Sequence, residues 1–152
     1  MIVFKKGNLF DSECQTLVNT VNCVGVMGAG IAKQFKQRYP AMFEEYKRAC
    51  KPGEYRILEY GGDLMLYTYI DFWKERKILN FATKENWMYP SKIEWIERGL
   101  QKFVDDYKYW KIESIAWPKL GCTNGKLNWE IQVKPLMIKY LDNLDIINEI
   151  YE

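Results

Sequence analysis

The sequence predicts an α/β domain whose mixed β-sheet lies between two layers of helices. Strand-like apolar segments alternate along the chain with segments whose apolar residues recur at helical spacing, and that order favours a largely parallel sheet. One hairpin is expected to make the sheet mixed, because Gly61-Gly62-Asp63 has the composition of a tight turn between strands at residues 55–60 and 64–70. A chain of 152 residues holds one domain with a hydrophobic core, so we expect a single domain over residues 1–152.

The first part of the chain predicts strands at residues 1–4 and 15–21, followed by two helices. The first helix begins near Ile31 and is interrupted by Pro40, because proline lacks the amide that a helix interior needs. The second helix covers residues 41–50, where aromatic residues share one face.

The longest helix is predicted after a strand at residues 77–82. Ser91 and Glu94 have the spacing of a capping box, in which serine caps the first turn and glutamate follows three residues later. The apolar residues that follow share one helical face: Ile93, Ile96, Leu100, Phe103, Val104 and Tyr107.

The last part of the chain completes the alternation. Residues 114–117 predict a short buried strand, and Pro135 suits the first turn of a helix that runs to about Leu141. Residues 145–151 predict a closing strand.

Composition excludes several kinds of chemistry. The sequence has no histidine, which removes Ser/His and Cys/His nucleophile pairs and most zinc sites. Its four cysteines form no C-x-x-C pair, so we expect no metal and no other cofactor. The net charge of +2 neither requires nor opposes a nucleic-acid partner. Without a signal-peptide pattern or an apolar run of membrane-spanning length, we expect a cytoplasmic protein with free thiols.

A glycine-rich segment, VNTVNCVGVMGAGIA, joins a predicted strand to a predicted helix at residues 18–32. Gly25, Gly28 and Gly30 form G-x-x-G-x-G within it. Glycines let backbone amides turn toward an anion, and the helix N-terminus adds its dipole, so a phosphate or diphosphate would fit. The spacing matches neither a P-loop nor the dinucleotide-binding fingerprint. A purely structural turn is the alternative.

Two asparagines, Asn19 and Asn22, stand at the end of the strand before this turn. An asparagine can cap a turn through its own side chain. An exposed amide at this place could instead bind ribose hydroxyls, because it both donates and accepts hydrogen bonds.

The combination of Val-Asn-x-x-Asn, the glycine turn and the helix resembles the macro domain, a module that binds ADP-ribose. The resemblance implies a three-layer α/β/α fold, a first loop that holds the diphosphate, and Asn22 at the distal ribose. Gly7-Asn8-Leu9 is similar to a family motif in which an aspartate holds the adenine amino group, and Asn8 would accept there without charge. The ADP-ribose contacts implied in this half are Asn8, Leu9, Asn19, Gly25, Val26, Met27, Gly28, Ala29, Gly30 and Ile31.

A second glycine loop, Leu120 to Gly125, follows the strand that ends at Trp117. It resembles the second phosphate loop of the macro domain, which closes over the distal ribose; another surface turn is the alternative. The contacts implied in this loop are Gly121, Cys122, Thr123, Asn124 and Gly125.

Two further stretches, NFATK at residues 80–84 and LGCTNGKLNWE at residues 120–130, resemble one macro domain subgroup. It contains the antitoxins of DarT/DarG pairs, in which DarT attaches ADP-ribose to thymidine in single-stranded DNA and DarG removes it, and related terminal ADP-ribose glycohydrolases. The resemblance implies that Lys84 is catalytic, that Thr83 contacts the ligand and that Asn22 orients the ribose. Protein-directed relatives carry an aspartate where this chain has Gly125, so the DNA-directed type is favoured.

The function implied by this resemblance is an ADP-ribosyl glycohydrolase that acts on ADP-ribosylated single-stranded DNA and serves as antitoxin to a DarT-type toxin. We expect a monomer that contacts no membrane. The resemblance also allows this domain to be part of a longer antitoxin. Trp87 would stack on a splayed base, although a partly buried core ring is the alternative. Other possible activities are a reader that binds without hydrolysis, and a hydrolase of ADP-ribosyl-glutamate, ADP-ribose 1″-phosphate or O-acetyl-ADP-ribose.

Overall fold

The centre of the fold is one six-stranded sheet, seen in a computed structural model that describes residues 1–152. Its strands are β1 (Ile2–Lys5), β2 (Thr16–Val21), β3 (Leu64–Asp71), β4 (Lys74–Ala82), β5 (Ser114–Trp117) and β6 (Ile147–Tyr151). The order across the sheet is β1-β6-β5-β2-β4-β3, and β3 alone runs antiparallel to its neighbour. The expected mixed sheet is therefore confirmed.

Four α-helices cover the two faces of this sheet: α1 (Gly30–Arg38), α2 (Pro40–Cys50), α3 (Ile93–Asp106) and α4 (Lys134–Leu141). A short 3₁₀ turn at Leu9–Asp11 precedes β2, and a π-helical turn at Trp129–Val133 leads into α4. None of the helices combines the length and apolar character that crossing a bilayer requires.

The sheet separates two hydrophobic cores, which confirms the three-layer arrangement. Phe35 of α1 and Met42 of α2 pack on one face with Leu17 of β2. Leu100 of α3 packs on the other face with Val18, the next residue of β2. Successive residues of a strand point to opposite faces, so Leu17 and Val18 of β2 contribute to different cores.

The prediction of a strand at residues 55–60 was wrong. This segment is irregular, and the amides of Ile57 and Leu58 both donate to the carbonyl of Ala49 at the end of α2. The two glycines that suggested a hairpin serve close packing instead, because a Cβ at Gly61 would overlap the indole of Trp95. The actual hairpin joins β3 to β4 through the exposed pair at residues 72–73, whose φ angles are +46° and +68°.

The prediction of a capping box at the start of α3 was also wrong. The helix begins at Ile93 after an N-cap at Lys92 that makes no side-chain hydrogen bond. The buried Ser91 hydroxyl has no hydrogen-bond partner and packs instead beside the second glycine loop, against Gly121 and Gly125. The spacing of residues along the sequence does not reveal that tertiary contact.

Replacing Gly99 of α3 by alanine should destabilise the fold by about 1–3 kcal/mol, although alanine is the better helix former. A methyl group at this buried position would overlap the ring of Phe81 in β4. Urea unfolding of the Gly99→Ala variant measures the loss. The matched control is Gly28→Ala, whose added Cβ would meet its nearest neighbour, Val26 Cγ1, at an ordinary 3.7 Å. Equal stability of the two variants would contradict the packing argument.

Candidate functional site

A cavity of about 940 Å³ opens where three neighbouring strands end. Thr20, Val21 and Asn22 line it from the end of β2, and Thr83 and Lys84 line it directly after β4. Ligand sites in open α/β sheets form beyond the carboxyl ends of the strands, because the connecting loops converge there. The remaining walls are formed by the first glycine loop, residues 22–30, by the second glycine loop, residues 120–125, with the adjoining Lys126, and by residues 87–90 after Lys84.

The Asn22 side chain holds the first glycine loop in shape. Its Nδ2 donates to the Val26 carbonyl at 2.8 Å, and its Oδ1 accepts from the Val24 amide at 3.0 Å. The hydroxyl of Tyr46, from α2, lies 2.8 Å from Asn22 Oδ1 and 2.9 Å from the Asn22 carbonyl oxygen. Burial raises the pKa of this phenol, so it stays protonated and donates. The turn-capping role of Asn22 is therefore what the geometry shows, on a residue that also lines the cavity.

Asn19 requires a correction, since the sequence suggested an exposed amide. Its side chain is fully buried in β2 and donates to Oδ1 of Asn80, its register partner in β4, at 3.1 Å. The same Nδ2 faces the sulfur of Met27 at 3.8 Å. Asn19 is thus an interior link between two strands and does not reach the ligand cavity.

Five of the residues implied in the first half do not line the cavity, and the others do. Asn8 lies on the surface, where its Oδ1 accepts from the Phe10 amide at 2.9 Å, while Leu9 is buried beneath it. Those outside the lining are Asn8, Leu9, Asn19, Gly25 and Met27; those within it are Asn22, Val26, Gly28, Ala29, Gly30 and Ile31.

All five residues implied in the second glycine loop line the cavity: Gly121, Cys122, Thr123, Asn124 and Gly125. The two loops nearly touch, because a Cβ at Gly30 would lie 3.1 Å from Asn124 Nδ2. Gly121 needs its freedom of backbone conformation, with φ at +70°. Burial raises the pKa of the Cys122 thiol to about 11, so this cavity-lining cysteine is not a thiolate near neutral pH.

Gly125 has no room for any side chain. A Cβ there would overlap both the hydroxyl of Ser91 and the carbonyl oxygen of Gly121. The Ser91 amide also donates to the Gly125 carbonyl at 3.0 Å, which fixes this backbone against the start of α3. The aspartate of protein-directed relatives is therefore sterically excluded from this loop as it is built.

Lys84 is fixed by an extension of the β2–β4 pairing. The amides of Thr83 and Lys84 both donate to the Val21 carbonyl, at 3.0 and 3.3 Å. The Lys84 ammonium donates to the carbonyl of Trp87 at 3.3 Å. Burial, and then the charge of Lys126, lower the pKa of Lys84 below the usual lysine range. Both effects enlarge the neutral amine fraction at a given pH.

The charges that line the cavity are all positive. Lys84, Lys119 and Lys126 contribute three ammonium groups, and no aspartate or glutamate is among the lining residues. Such a wall attracts anions and offers no carboxylate base. Sequence reasoning missed the rim beside Trp87, formed by Met88, Tyr89 and Pro90, although the run WMYP, which begins three residues after Lys84, was a visible signal.

The two glycine loops and the cationic cavity at the carboxyl ends of the strands have the geometry and charge that suit a phosphate-bearing ligand. The sequence model of one family, described as Macro domain, matches residues 18–135. The chain therefore belongs to the macro domain family, as its motifs indicated.

Curated relatives match almost all of this chain. A Mycobacterium tuberculosis protein named DNA ADP-ribosyl glycohydrolase is 41% identical over 151 residues, which cover 99% of this chain and 42% of the relative. A Thermus aquaticus protein of the same name is 39% identical, over 95% of this chain and 39% of the relative. The chain thus spans about two fifths of the length of the curated relatives it matches.

Solved structures agree with this assignment. The macrodomain of Mycobacterium tuberculosis DarG superposes with a TM-score of 0.91 at 40% identity, covering 99% of this chain and 97% of that one. Thermosipho africanus DarTG, solved in complex with ADP-ribose, superposes with a TM-score of 0.91 at 37% identity, covering 99% of this chain and 41% of that one. The macro domain fold and the resemblance to the DarG-type subgroup are both confirmed.

Removing the Tyr46 hydroxyl should loosen the first glycine loop. The Tyr46→Phe variant loses the donor to Asn22 and should unfold with about 1 kcal/mol less free energy. Hydrogen exchange at the Val24 and Val26 amides should accelerate, because Asn22 holds both ends of this turn. Tyr109→Phe is the control, since Tyr109 is 85% exposed. Unchanged exchange at both amides would show that other contacts shape the loop.

Proposed function

We propose that this domain is an ADP-ribosyl glycohydrolase that removes ADP-ribose from thymidine in single-stranded DNA. The observation that carries the proposal is Lys84, a partly buried lysine set between two glycine loops in a cavity without carboxylates. The names of the relatives from Mycobacterium tuberculosis and Thermus aquaticus, at 41% and 39% identity, support the DNA substrate.

In this proposal the glycine loops hold the diphosphate of the ADP-ribosyl group. Backbone amides at the start of α1 and the helix dipole favour an anion at residues 28–30. Asn22, which keeps the first loop in shape, would orient the distal ribose, and the second loop would close over it. The adenine contact implied for Asn8 and the ADP-ribose contacts implied for Leu9, Gly25 and Met27 stay predictions, since none of these residues lines the cavity. The proposed contacts are Asn22, Val26, Gly28, Ala29, Gly30, Ile31, Thr83, Gly121, Cys122, Thr123, Asn124 and Gly125.

The bond to be broken joins C1″ of the ribose to a thymine nitrogen, and its cleavage passes through an oxocarbenium-like state. We favour attack by the neutral Lys84 amine on C1″. The C1″–N bond breaks, the proton lost by the amine goes to the departing thymine nitrogen, and water then hydrolyses the lysine adduct. The lowered pKa of Lys84 supports this route. In the other route a charged Lys84 stabilises the leaving base while water attacks.

Other macro domain activities explain these residues less well. A reader that binds ADP-ribose without hydrolysis would leave Lys84 without a role. A hydrolase of ADP-ribosyl-glutamate would need the aspartate that Gly125 excludes. Hydrolysis of ADP-ribose 1″-phosphate or O-acetyl-ADP-ribose would leave the Thr83-Lys84 pair unexplained.

The biological partner in this proposal is a DarT-type toxin, whose DNA product the domain would repair as an antitoxin. A Thermosipho africanus relative, 38% identical over 96% of this chain and 40% of its own length, is named DNA ADP-ribosyl transferase-DNA ADP-ribosyl glycohydrolase fusion protein. That name supports the pairing of the two activities. A monomer acting in the cytoplasm is part of the same proposal.

The Lys84→Ala variant should lose release of ADP-ribose from an ADP-ribosyl-thymidine oligonucleotide, with a rate at least about a hundredfold lower. Gel shift of the single-stranded substrate measures the release. Lys51→Ala, at an exposed position after α2, is the control and should behave as wild type. If both variants release DNA equally, Lys84 is not catalytic; if wild type and Lys84→Ala only bind ADP-ribose, the domain is a reader.

The pH dependence of the rate should separate the two routes. If the neutral amine attacks, the rate rises as pH rises through the Lys84 pKa. Removing the charge of Lys126 raises that pKa, so Lys126→Ala should shift the ascending limb to higher pH and slow the reaction severalfold at neutral pH. A rate that instead falls as pH rises through the Lys84 pKa would support the charged-lysine route. The affinity for ADP-ribose, measured in parallel, controls for direct loss of a phosphate contact.

A further inference from the structure

An exposed apolar ledge borders the cavity on the side of Lys84. Its residues are Trp87, Met88 and Tyr89, which are 56%, 58% and 61% exposed and all line the cavity. None of the three is among the buried residues of either hydrophobic core. Exposing three consecutive large side chains to water does not stabilise the fold. A contiguous apolar patch beside a polar cavity is typical of a binding surface.

The ledge is held in place at both ends. Its beginning is an asparagine turn, in which Asn86 Oδ1 accepts from the Met88 amide at 3.0 Å and the Asn86 carbonyl accepts from the Tyr89 amide at 3.3 Å. Its end is tied to the second glycine loop, because the Ser91 amide donates to the Gly125 carbonyl at 3.0 Å. The ledge is thus a prepared surface that pays little ordering entropy on binding.

The ledge also touches the reacting end of the cavity. The carbonyl of Trp87 accepts from the Lys84 ammonium at 3.3 Å, so the indole-bearing residue stands directly beside the proposed nucleophile. The carbon that Lys84 attacks is bonded to the departing base. A base attached to that carbon must therefore lie near Lys84, and the ledge begins three residues after Lys84.

The chemistry of this edge fits a planar base on a phosphate chain. Aromatic rings stack on the face of any nucleobase, and thioether groups adapt to flat apolar surfaces. Lys119 and Lys126 line the same cavity, and no carboxylate there repels phosphates. We propose, on the basis of the function proposed above, that Trp87, Met88 and Tyr89 form a stacking platform for a nucleobase of the single-stranded DNA substrate. The platform selects substrates by their DNA part, separately from the ADP-ribosyl part.

The test compares Trp87→Ala, Tyr89→Ala and Trp87→Phe in two measurements, with Trp73→Ala as the matched control. Trp73 is a 96% exposed tryptophan in the β3–β4 turn, at the amino end of β4, whereas the cavity lies beyond the carboxyl end of that strand. The first measurement is kcat/KM for release from an ADP-ribosyl-thymidine oligonucleotide. The second is the Kd for free ADP-ribose by calorimetry.

Trp87→Ala should lower kcat/KM about tenfold and leave the Kd for ADP-ribose within about twofold of wild type. Tyr89→Ala should act in the same direction, Trp87→Phe should keep most of the activity, and Trp73→Ala should match wild type. If Trp87→Ala weakens ADP-ribose binding by the same factor as kcat/KM, the ledge holds the adenine of ADP-ribose and the proposal is overturned. Wild-type values in both measurements would overturn it as well.

A third measurement keeps this inference apart from the glycohydrolase proposal. If wild type releases nothing from the oligonucleotide, the proposed reaction fails. Fluorescence anisotropy with an unmodified single-stranded oligonucleotide, in the presence of ADP-ribose, then tests the platform alone. Binding by wild type that Trp87→Ala weakens supports it, whereas no binding, or equal binding by both proteins, overturns it.

Discussion

Parallel pairing of β2 with β4 is the constraint on which the whole site depends. The register sets Val21 opposite Ala82, and the Val21 carbonyl then accepts from the amides of Thr83 and Lys84. This pairing carries the ladder beyond the ends of both strands. The first glycine loop and Lys84 therefore start from one shared point, and a slip of one residue would turn Lys84 away from the loop. Helices on both faces of the sheet make that register costly to change, because each strand buries residues on two sides.

Buried and partly buried hydrogen bonds supply the rigidity that the glycines lack. A loop rich in glycine has many conformations to lose on folding, and its apolar neighbours alone do not select one. Asn22 selects one by occupying both the Val24 amide and the Val26 carbonyl, and Tyr46 of α2 fixes Asn22 in turn. Because the tyrosine lies in one core and the loop lies at the ligand cavity, stability of that core and shape of the site are coupled.

Local patterns predicted the fold well wherever a pattern had one physical cause. The alternation of strands and helices, the helix periods and the second glycine loop follow from spacing and from resemblance. The mixed sheet was predicted from a hairpin at residues 61–63 and is formed instead by the hairpin between β3 and β4. Predictions failed where tertiary contacts determine the local structure. Gly61 was predicted to lie in a hairpin turn, but its lack of a side chain allows Trp95 to pack against it. Ser91 was predicted to cap a helix, but it packs against the second glycine loop. Asn19 was predicted to contact the ligand because the sequence does not show how deeply a residue is buried within a strand. Only the register of the sheet shows that its partner is Asn80 in β4.

The crowding around Gly125 limits which residues the second glycine loop can accept. Replacing Gly125 by aspartate changes only one residue, yet the new side chain would collide with the Ser91 hydroxyl and with the backbone oxygen of Gly121. Trimming Ser91 would clear only one of these obstacles, so the loop itself would have to take another path first. An aspartate here therefore requires a different backbone path as well as a different side chain, so a substitution at Gly125 alone would not convert this loop into the aspartate-bearing form.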